Sequence, residues 1–101
     1  MIISGGENIF PSEVESVYAN FPGLSKIAVV GEDDSDWGQT PVAFVVSEQP
    51  LSESELISFG RQKLAHYEVP KAFYRVKELP VNASGKIKRY QLRIKLKNKE
   101  R

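Results

Sequence analysis

The sequence predicts a small α/β protein, in the α+β sense, with a sheet of about three strands flanked by helices. Apolar residues recur at helical spacing in two segments, and each of these segments begins with a Ser-x-x-Glu pattern. Between and after them lie short runs rich in β-branched residues, which are typical of buried strands. A chain of 101 residues has room for one small core, so we expect a single domain.

The first predicted helix begins at Ser12, because Ser12 and Glu15 have the spacing of a capping box. We expect it to run to about Asn20, where the pair Pro22-Gly23 prevents its continuation. Its apolar face follows the i, i+3, i+4, i+7 pattern and comprises Val14, Val17, Tyr18 and Phe21.

Two apolar runs, 27–31 and 42–46, predict a pair of buried strands joined by a polar turn over 32–40. Trp37 lies in this turn, and we expect its large ring to be buried and to anchor the connection. A second helix is predicted from Ser52, whose spacing to Glu55 repeats the capping box, to about His66.

The remaining elements are a third strand over 72–76 and a final segment of ambiguous structure. Pro70 separates the second helix from the third strand. In the final segment, alternate positions are apolar or aromatic, which is a strand pattern: Tyr90, Leu92, Ile94 and Leu96.

Charge is unevenly distributed although the net charge is only +1. Of the 14 lysine and arginine residues, eight follow residue 85, together with one of the 13 acidic residues. Such a basic end fits either an anionic partner, such as RNA, or a solvated terminal segment. Nucleic-acid readers usually add exposed aromatic side chains, and this end offers only Tyr90, so no nucleic-acid partner is expected.

The composition excludes several classes of site. With no cysteine, the chain has no disulfide, thiol nucleophile or cysteine-ligated metal, and a single histidine makes a metal site of protein ligands unexpected. There is no long apolar segment that could span a membrane and no signal-peptide pattern at the start. We therefore expect a cytoplasmic protein without a membrane span.

Two runs of small and polar residues stand near the two ends of the chain. Residues 4–15 read SGGENIFPSEVE, and residues 80–87 read PVNASGKI. Glycine permits backbone conformations closed to other residues, and the ammonium of Lys86 can act as a mobile charge against a phosphate or carboxylate. Taken alone, each run is also typical of an ordinary surface turn.

Together with residues 36–39 (DWGQ) and 64–71 (LAHYEVPK), these runs resemble the C-terminal domain of the adenylate-forming enzymes. That family includes acyl- and aryl-CoA ligases, adenylation domains of peptide synthetases and luciferases, and the resemblance covers essentially the whole chain. It implies a helix, not a strand, after Lys86. It also implies two half-reactions: ATP, supplied with magnesium, converts a carboxylate to an acyl adenylate, and the thiol of coenzyme A then displaces AMP.

The resemblance assigns roles to particular residues. Lys86 would be catalytic in the first half-reaction, bridging the carboxylate and the α-phosphate. Tyr67 and Lys71 would contact the nucleotide end of coenzyme A, whereas Glu68 departs from the lysine common at that position and removes one expected phosphate contact. A further group would line the tunnel for the pantetheine arm of coenzyme A: Gly5, Gly6, Glu7 and Asn8.

The family places a hinge and a larger N-terminal adenylation domain before position 1. Residues 1–101 are therefore expected to be a C-terminal domain whose partners are that domain, in the same polypeptide, and a small carboxylic acid. The segments 21–23, 37–41 and 44–48 look most like an aryl-CoA ligase of menaquinone biosynthesis. A 4-chlorobenzoate-type or medium-chain acyl ligase stays open, and so does a different class, a free-standing module that binds RNA or another polyanion.

Overall fold

The computed structural model describes residues 1–99, and in this part of the chain one sheet is packed between helices. The strands are β1 (Ile2–Ser4), β2 (Glu7–Ile9), β3 (Lys26–Asp34), β4 (Gly38–Val46) and β5 (Phe73–Arg75). The α-helices are α1 (Pro11–Tyr18), α2 (Glu53–Arg61) and α3 (Arg89–Lys99), and a 3₁₀ turn covers His66–Glu68.

A long hairpin of β3 and β4 forms the centre of the sheet. The two strands pair antiparallel from Lys26 opposite Val46 to Asp34 opposite Gly38. On its other edge, β4 pairs with β1 at one end and with β5, in parallel, near the other. The strand order is β2-β1-β4-β3, so β3 is an edge strand.

The predicted fold class is confirmed, but the sheet has five strands instead of about three. The two additional strands, β1 and β2, contain three residues each and flank the Gly5-Gly6 turn. Strands this short give no periodic pattern, and they form because the turn and the neighbouring β4 supply backbone partners.

Helices cover both faces of the sheet, which explains why residues 27–31 of β3 and 42–46 of β4 are continuously apolar. On one face α1 and α2 pack on a cluster of Ile2, Ile9, Val14, Tyr18, Phe21, Val29, Ala43, Val45 and Leu56. On the other face α3 contributes two leucines to a cluster of Ala28, Val30, Val42, Phe44, Leu92 and Leu96.

The helix prediction for the end of the chain is confirmed. Leu92 and Leu96 are buried, whereas Tyr90 and Ile94 are about half exposed. The apparent alternation therefore contains an i, i+4 pair on one helix face, and the intervening positions lie on the solvent side.

The start of the first helix differs from the prediction. Its N-cap is Phe10, which makes no side-chain cap, and Pro11 is the first helical residue. Glu15 does not turn back to the first turn of the helix but accepts a hydrogen bond from the backbone N–H of Val29, at 2.8 Å. Ser12 and Glu15 therefore do not form a capping box, because Glu15 bonds to Val29, which is distant in sequence.

The second helix begins as predicted, because Ser52 Oγ accepts a hydrogen bond from the backbone N–H of Glu55 at 3.3 Å. It ends at Arg61, earlier than the predicted His66. Beyond it, the carbonyl of Gly60 accepts hydrogen bonds from the N–H groups of both Lys63 and Leu64, so one further irregular turn follows the helix.

Tyr18 joins the two helices on the first face of the sheet. Its side chain is fully buried, and its hydroxyl donates to the carbonyl of Leu56 at 2.8 Å. The ring lies 5.6 Å from that of Phe59 and 5.5 Å from that of Phe73, measured between centroids. Burial raises the pKa of Tyr18 from 10.0 to about 12.

We expect the free energy of unfolding to fall as the pH rises from about 10 to about 12, because the unfolded tyrosine then loses its proton while folded Tyr18 keeps it. The fall over this window is about 2 to 3 kcal/mol and stops above the folded pKa. In Tyr18→Phe this component is absent, while one buried hydrogen bond, about 1 kcal/mol, is lost at neutral pH. Urea unfolding at about pH 8 and about pH 11 measures both effects. Equal pH dependence in the two proteins would contradict the prediction.

Candidate functional site

The segment 82–86, here called the lysine loop, forms a tight exposed turn that presents Lys86. The flanking residues Val81 and Ile87 pair as an antiparallel bridge. Inside the turn, the N–H of Asn82 donates to the carbonyl of Lys86, and the N–H of Gly85 donates to the carbonyl of Asn82, both at 2.9 Å. Gly85 has φ 87°, a conformation that other residues rarely adopt.

The side chain of Asn82 holds this turn together. Its Oδ1 accepts hydrogen bonds from the backbone N–H and the hydroxyl of Ser84, at 3.0 and 2.8 Å, and from the backbone N–H of Lys86, at 3.0 Å. Within residues 1–99, no carboxylate lies within ion-pair distance of the Lys86 ammonium. The loop therefore fixes the backbone of Lys86 and leaves its charge available to an external anion.

The segment 5–8, here called the glycine loop, is the turn and second strand of the β1–β2 hairpin. Gly5 has φ 56° and Gly6 has φ 85°, so both lie in the left-handed region used by two-residue hairpin turns. Glu7 and Asn8 lie on β2, opposite Ser4 and Ile3, and both are exposed. The four residues predicted to contact the pantetheine arm are thus contiguous and accessible.

Trp37 packs directly on this turn. The N–H of Gly5 donates to the carbonyl of Trp37 at 2.9 Å, and a Cβ added to Gly5 would overlap the indole ring. At Gly6 an added Cβ would meet nothing within 4 Å. The indole is nevertheless 57% exposed, so the prediction that it is buried was wrong.

Asp34, not Trp37, fixes the connection between β3 and β4. Its Oδ1 accepts hydrogen bonds from the backbone N–H groups of Asp36 and Trp37, at 2.9 and 3.0 Å. These two bonds, followed by the charge of Lys71, hold the pKa of Asp34 below its ordinary value. Asp34 therefore holds the backbone of the turn that carries the exposed indole.

An open cleft of about 400 Å³ lies beside the indole and contains further predicted site residues. Trp37, Tyr67 and Lys71 line it, and Tyr67 also packs partly against the core. Thr40 lines the same cleft, and its buried hydroxyl has no hydrogen-bond partner among the described residues. Glu68 does not line the cleft, and its Oε1 accepts a local hydrogen bond from the backbone N–H of Ala65 at 2.9 Å.

The ammonium of Lys71 is shared between two carboxylates. Its Nζ lies 3.3 Å from Glu32 Oε1 and 3.8 Å from Asp34 Oδ2. The lysine side chain is 46% exposed, so the ion pairs are weak and an incoming phosphate would compete with them.

The two loops lie at opposite ends of the β3–β4 hairpin. The lysine loop borders Lys26 and Ile27, where β3 begins, because these residues line a small cleft together with Gly85. The glycine loop borders Trp37, just beyond the end of β3 at Asp34. A strand of nine residues spans roughly 30 Å, so one fixed orientation cannot bring both loops to the same reacting atoms.

Two residues with a bearing on the lysine loop were missed by the sequence reasoning. Arg89 begins α3, shortly after Lys86, and forms a 2.6 Å ion pair with Glu15 of α1. Glu15 was interpreted as half of a capping box, and Arg89 as part of a solvated basic segment. The sequence signal that could have found the ion pair is the position of Arg89, which lies directly after the loop at the expected start of the last helix.

We expect Gly5→Ala to be more destabilising than Gly6→Ala. Both substitutions place a side chain in the left-handed region, which costs about 1 kcal/mol, but only the methyl group at position 5 meets the indole. The additional overlap costs about 1 to 3 kcal/mol. Thermal unfolding of the two variants measures the difference, and equal melting temperatures would contradict this packing.

The described residues 1–99 contain no group of three or more histidine, cysteine or carboxylate side chains arranged to hold a metal ion. In the same part of the chain, no helix combines the length and apolar character needed to cross a membrane.

The family model for the AMP-binding enzyme C-terminal domain matches residues 13–86, a range that ends at the lysine of the lysine loop. A 2-succinylbenzoate–CoA ligase from Bacillus cytotoxicus is 50% identical over 99 residues, which cover 98% of this chain and 21% of that protein.

Solved structures of CoA synthetases are also similar to this chain. O-succinylbenzoate CoA synthetase from Bacillus subtilis, in complex with its acyl-adenylate intermediate, superposes with a TM-score of 0.87 and 45% identity over 90% of this chain. A Mycobacterium tuberculosis fatty acyl CoA synthetase also gives a TM-score of 0.87, with 42% identity over 94% of the chain. In each case the chain spans about a fifth of the length of the protein it matches.

Proposed function

Because this chain belongs to the family of AMP-binding enzyme C-terminal domains, we propose that it is the C-terminal domain of an ATP-dependent acid–CoA ligase. Residues 1–101 would follow a hinge and a larger N-terminal adenylation domain of the same polypeptide. That domain would hold the carboxylic acid and most of the ATP, with its magnesium ion. The observation that carries the proposal is the identity of about half of the chain's residues to 2-succinylbenzoate–CoA ligases.

In the first half-reaction, a carboxylate oxygen attacks the α-phosphorus of ATP. The new oxygen–phosphorus bond forms as the bond to pyrophosphate breaks, giving an acyl adenylate. Lys86 would lie between the two anions, reduce their repulsion and stabilise the charge that develops on the phosphate. The hydrogen-bonded backbone of the lysine loop supports this role, and so does the lack of an ion-pair partner for the Lys86 ammonium within residues 1–99.

In the second half-reaction, the sulfur of coenzyme A attacks the acyl carbon and AMP leaves. The glycine loop would lie along the pantetheine arm, where glycines allow close approach of the backbone. Tyr67 and Lys71 would contact the nucleotide end of coenzyme A from the cleft beside Trp37. Since the two loops lie at opposite ends of one hairpin, the domain would have to turn between the half-reactions.

We propose 2-succinylbenzoate as the carboxylic acid, which would give the enzyme a cytoplasmic role in menaquinone biosynthesis. The names of the relatives support this substrate. The likeness to a fatty acyl CoA synthetase supports an acyl ligase as the alternative, and a 4-chlorobenzoate-type ligase is the aryl alternative. The acyl pocket would belong to the N-terminal domain, so the choice depends on residues outside this chain.

The test is carboxylate-dependent exchange of pyrophosphate into ATP by the full-length polypeptide, with a panel of aryl and aliphatic acids. We expect exchange with 2-succinylbenzoate and, after addition of coenzyme A, release of AMP with formation of the thioester. If exchange occurs with another acid but not with 2-succinylbenzoate, the proposed substrate is wrong, and the proposed acid–CoA ligase reaction is retained. No exchange with any acid would reject the proposed function, and binding of RNA by the basic end would then be the next property to measure.

A further inference from the structure

Glu15 and Arg89 meet on the open edge of the sheet, beside the centre of β3. The ion pair is 2.6 Å long, and both side chains are largely shielded from solvent. Glu15 Oε2 also accepts a hydrogen bond from the N–H of Val29 at 2.8 Å, and Arg89 Nε donates to the carbonyl of Val29 at 3.3 Å. Together the two side chains occupy both backbone groups of one strand residue.

This arrangement follows from the topology of the sheet. Because β3 pairs only with β4 among the strands of residues 1–99, the backbone groups on its outer edge have no strand partner in this part of the chain. An acceptor and a donor are needed there at the same time, and the carboxylate of Glu15 and the guanidinium of Arg89 supply them. Three elements, α1, β3 and α3, are thereby tied together at one point.

The lysine loop is connected to this point by a short and constrained segment. Between Lys86 and Arg89, Ile87 pairs with Val81, and the N–H of Lys88 donates to the carbonyl of Pro80 at 2.8 Å. The bridge and this hydrogen bond tie the segment to residues 80 and 81 on both sides of its midpoint. A shift of Arg89 would therefore also move Lys86.

We propose that Glu15 and Arg89 are positioning residues that hold the lysine loop in the orientation required for the first half-reaction. The inference rests on the proposed function of Lys86. The planar guanidinium of Arg89 donates through two nitrogens, which fixes direction as well as distance, whereas a lysine would fix distance alone. A misplacement of about 1 Å costs a catalytic group about a hundredfold in rate.

The experiment uses the full-length polypeptide with Arg89→Met, Arg89→Lys and Glu15→Gln. Arg93→Met is the matched control, because Arg93 is an exposed arginine on the same helix, and Lys86→Ala is the reference for complete loss. Four quantities are measured for each protein: kcat and KM of pyrophosphate exchange, the rate of thioester formation from supplied acyl adenylate, and the melting temperature.

We expect Arg89→Met to lower kcat of exchange by about tenfold to a hundredfold, with KM for ATP and thioester formation changed by less than about twofold. Arg89→Lys should keep part of the wild-type kcat of exchange. The kcat of Glu15→Gln should lie between those of Arg89→Met and Arg89→Lys. A double variant that combines Arg89→Met with Glu15→Gln should be hardly worse than Arg89→Met alone, because the two residues act as one unit. The control should resemble the wild type.

Several results would overturn the inference. These are unchanged exchange in the Arg89 variants, an equal fall in both half-reactions, or failure of both Arg89→Lys and Glu15→Gln to fold, which would leave the pair with a structural role only. If the wild type exchanges pyrophosphate in a Lys86-dependent way while the Arg89 variants match it, only this inference fails. If the wild type shows no exchange with any acid, the proposed function fails first.

Discussion

Replacing Lys86 with alanine in the full-length polypeptide should lower the rate of adenylation by about a hundredfold to a thousandfold, the usual effect of removing one charge aimed at a transition state. Because the ammonium of Lys86 has no ion-pair partner within residues 1–99, its removal leaves no buried charge behind, and folding should be unaffected. Pyrophosphate exchange measures the rate, and the melting temperature checks the fold.

The position of the lysine loop makes this prediction specific to one half-reaction. Thioester formation from supplied acyl adenylate should stay within about twofold of the wild type, because that step would use the glycine loop at the other end of the hairpin. Lys95→Ala removes an exposed lysine from the same basic segment and serves as the control. A similar loss in Lys95→Ala, or a loss of both half-reactions in Lys86→Ala, would show that general charge matters and not this one ammonium.

Phe44→Ala should cause the largest loss of stability, about 3 to 5 kcal/mol, since the phenyl ring is fully buried and its removal leaves a cavity. Phe44 lies on β4, its ring centroid is 5.5 Å from that of Tyr74, and it belongs to the cluster that receives Leu92 and Leu96 of α3. The free energy of unfolding from urea titration measures the loss, which is a large share of the total stability of a small domain.

The control for this substitution is Phe10→Ala. Phe10 is 45% exposed, and its side chain makes no capping bond, so we expect a loss below about 1 kcal/mol. A loss at Phe10 as large as that at Phe44 would contradict the prediction, because it would mean that a half-exposed side chain stabilises the fold as much as a fully buried one. Because the Phe44 cluster also holds α3 on the sheet, residual folded Phe44→Ala protein should show a less ordered lysine loop.

The parts of the fold that the sequence predicted are those governed by local patterns and by the family resemblance. The β-branched runs marked the first part of β3 and the last part of β4, whereas the ends of both strands near the hairpin turn fell in the predicted polar turn. The spacing of Ser52 and Glu55 marked the start of α2. The final helix was not fixed by periodicity, since Tyr90 and Leu92 also fit a strand; the resemblance decided it. Strands β1 and β2 were missed although Gly5-Gly6 is a typical two-residue hairpin turn, because three-residue strands show no periodic pattern and the pairing of β1 with β4 is distant in sequence.

For the candidate site, the sequence placed residues on loops but could not place the loops relative to one another. The grouping of Trp37, Tyr67 and Lys71 around one cleft depends on the pairing of β4 with β1 and β5. The role of Glu15 was misread for a related reason. Its spacing from Ser12 predicted a local capping box, but its carboxylate instead bonds to Val29 and Arg89, which are distant in sequence.

The backbone contacts of Val29 also affect how this domain behaves at high concentration. An uncovered edge strand is a template on which the strand of another molecule can add, and this is a common start of aggregation. At the centre of β3, however, the N–H and the carbonyl of Val29 are already bonded to Glu15 and Arg89. An incoming strand would have to displace this ion pair before it could pair with β3, so Glu15 and Arg89 protect the apolar part of the strand, residues 27–31, from self-association.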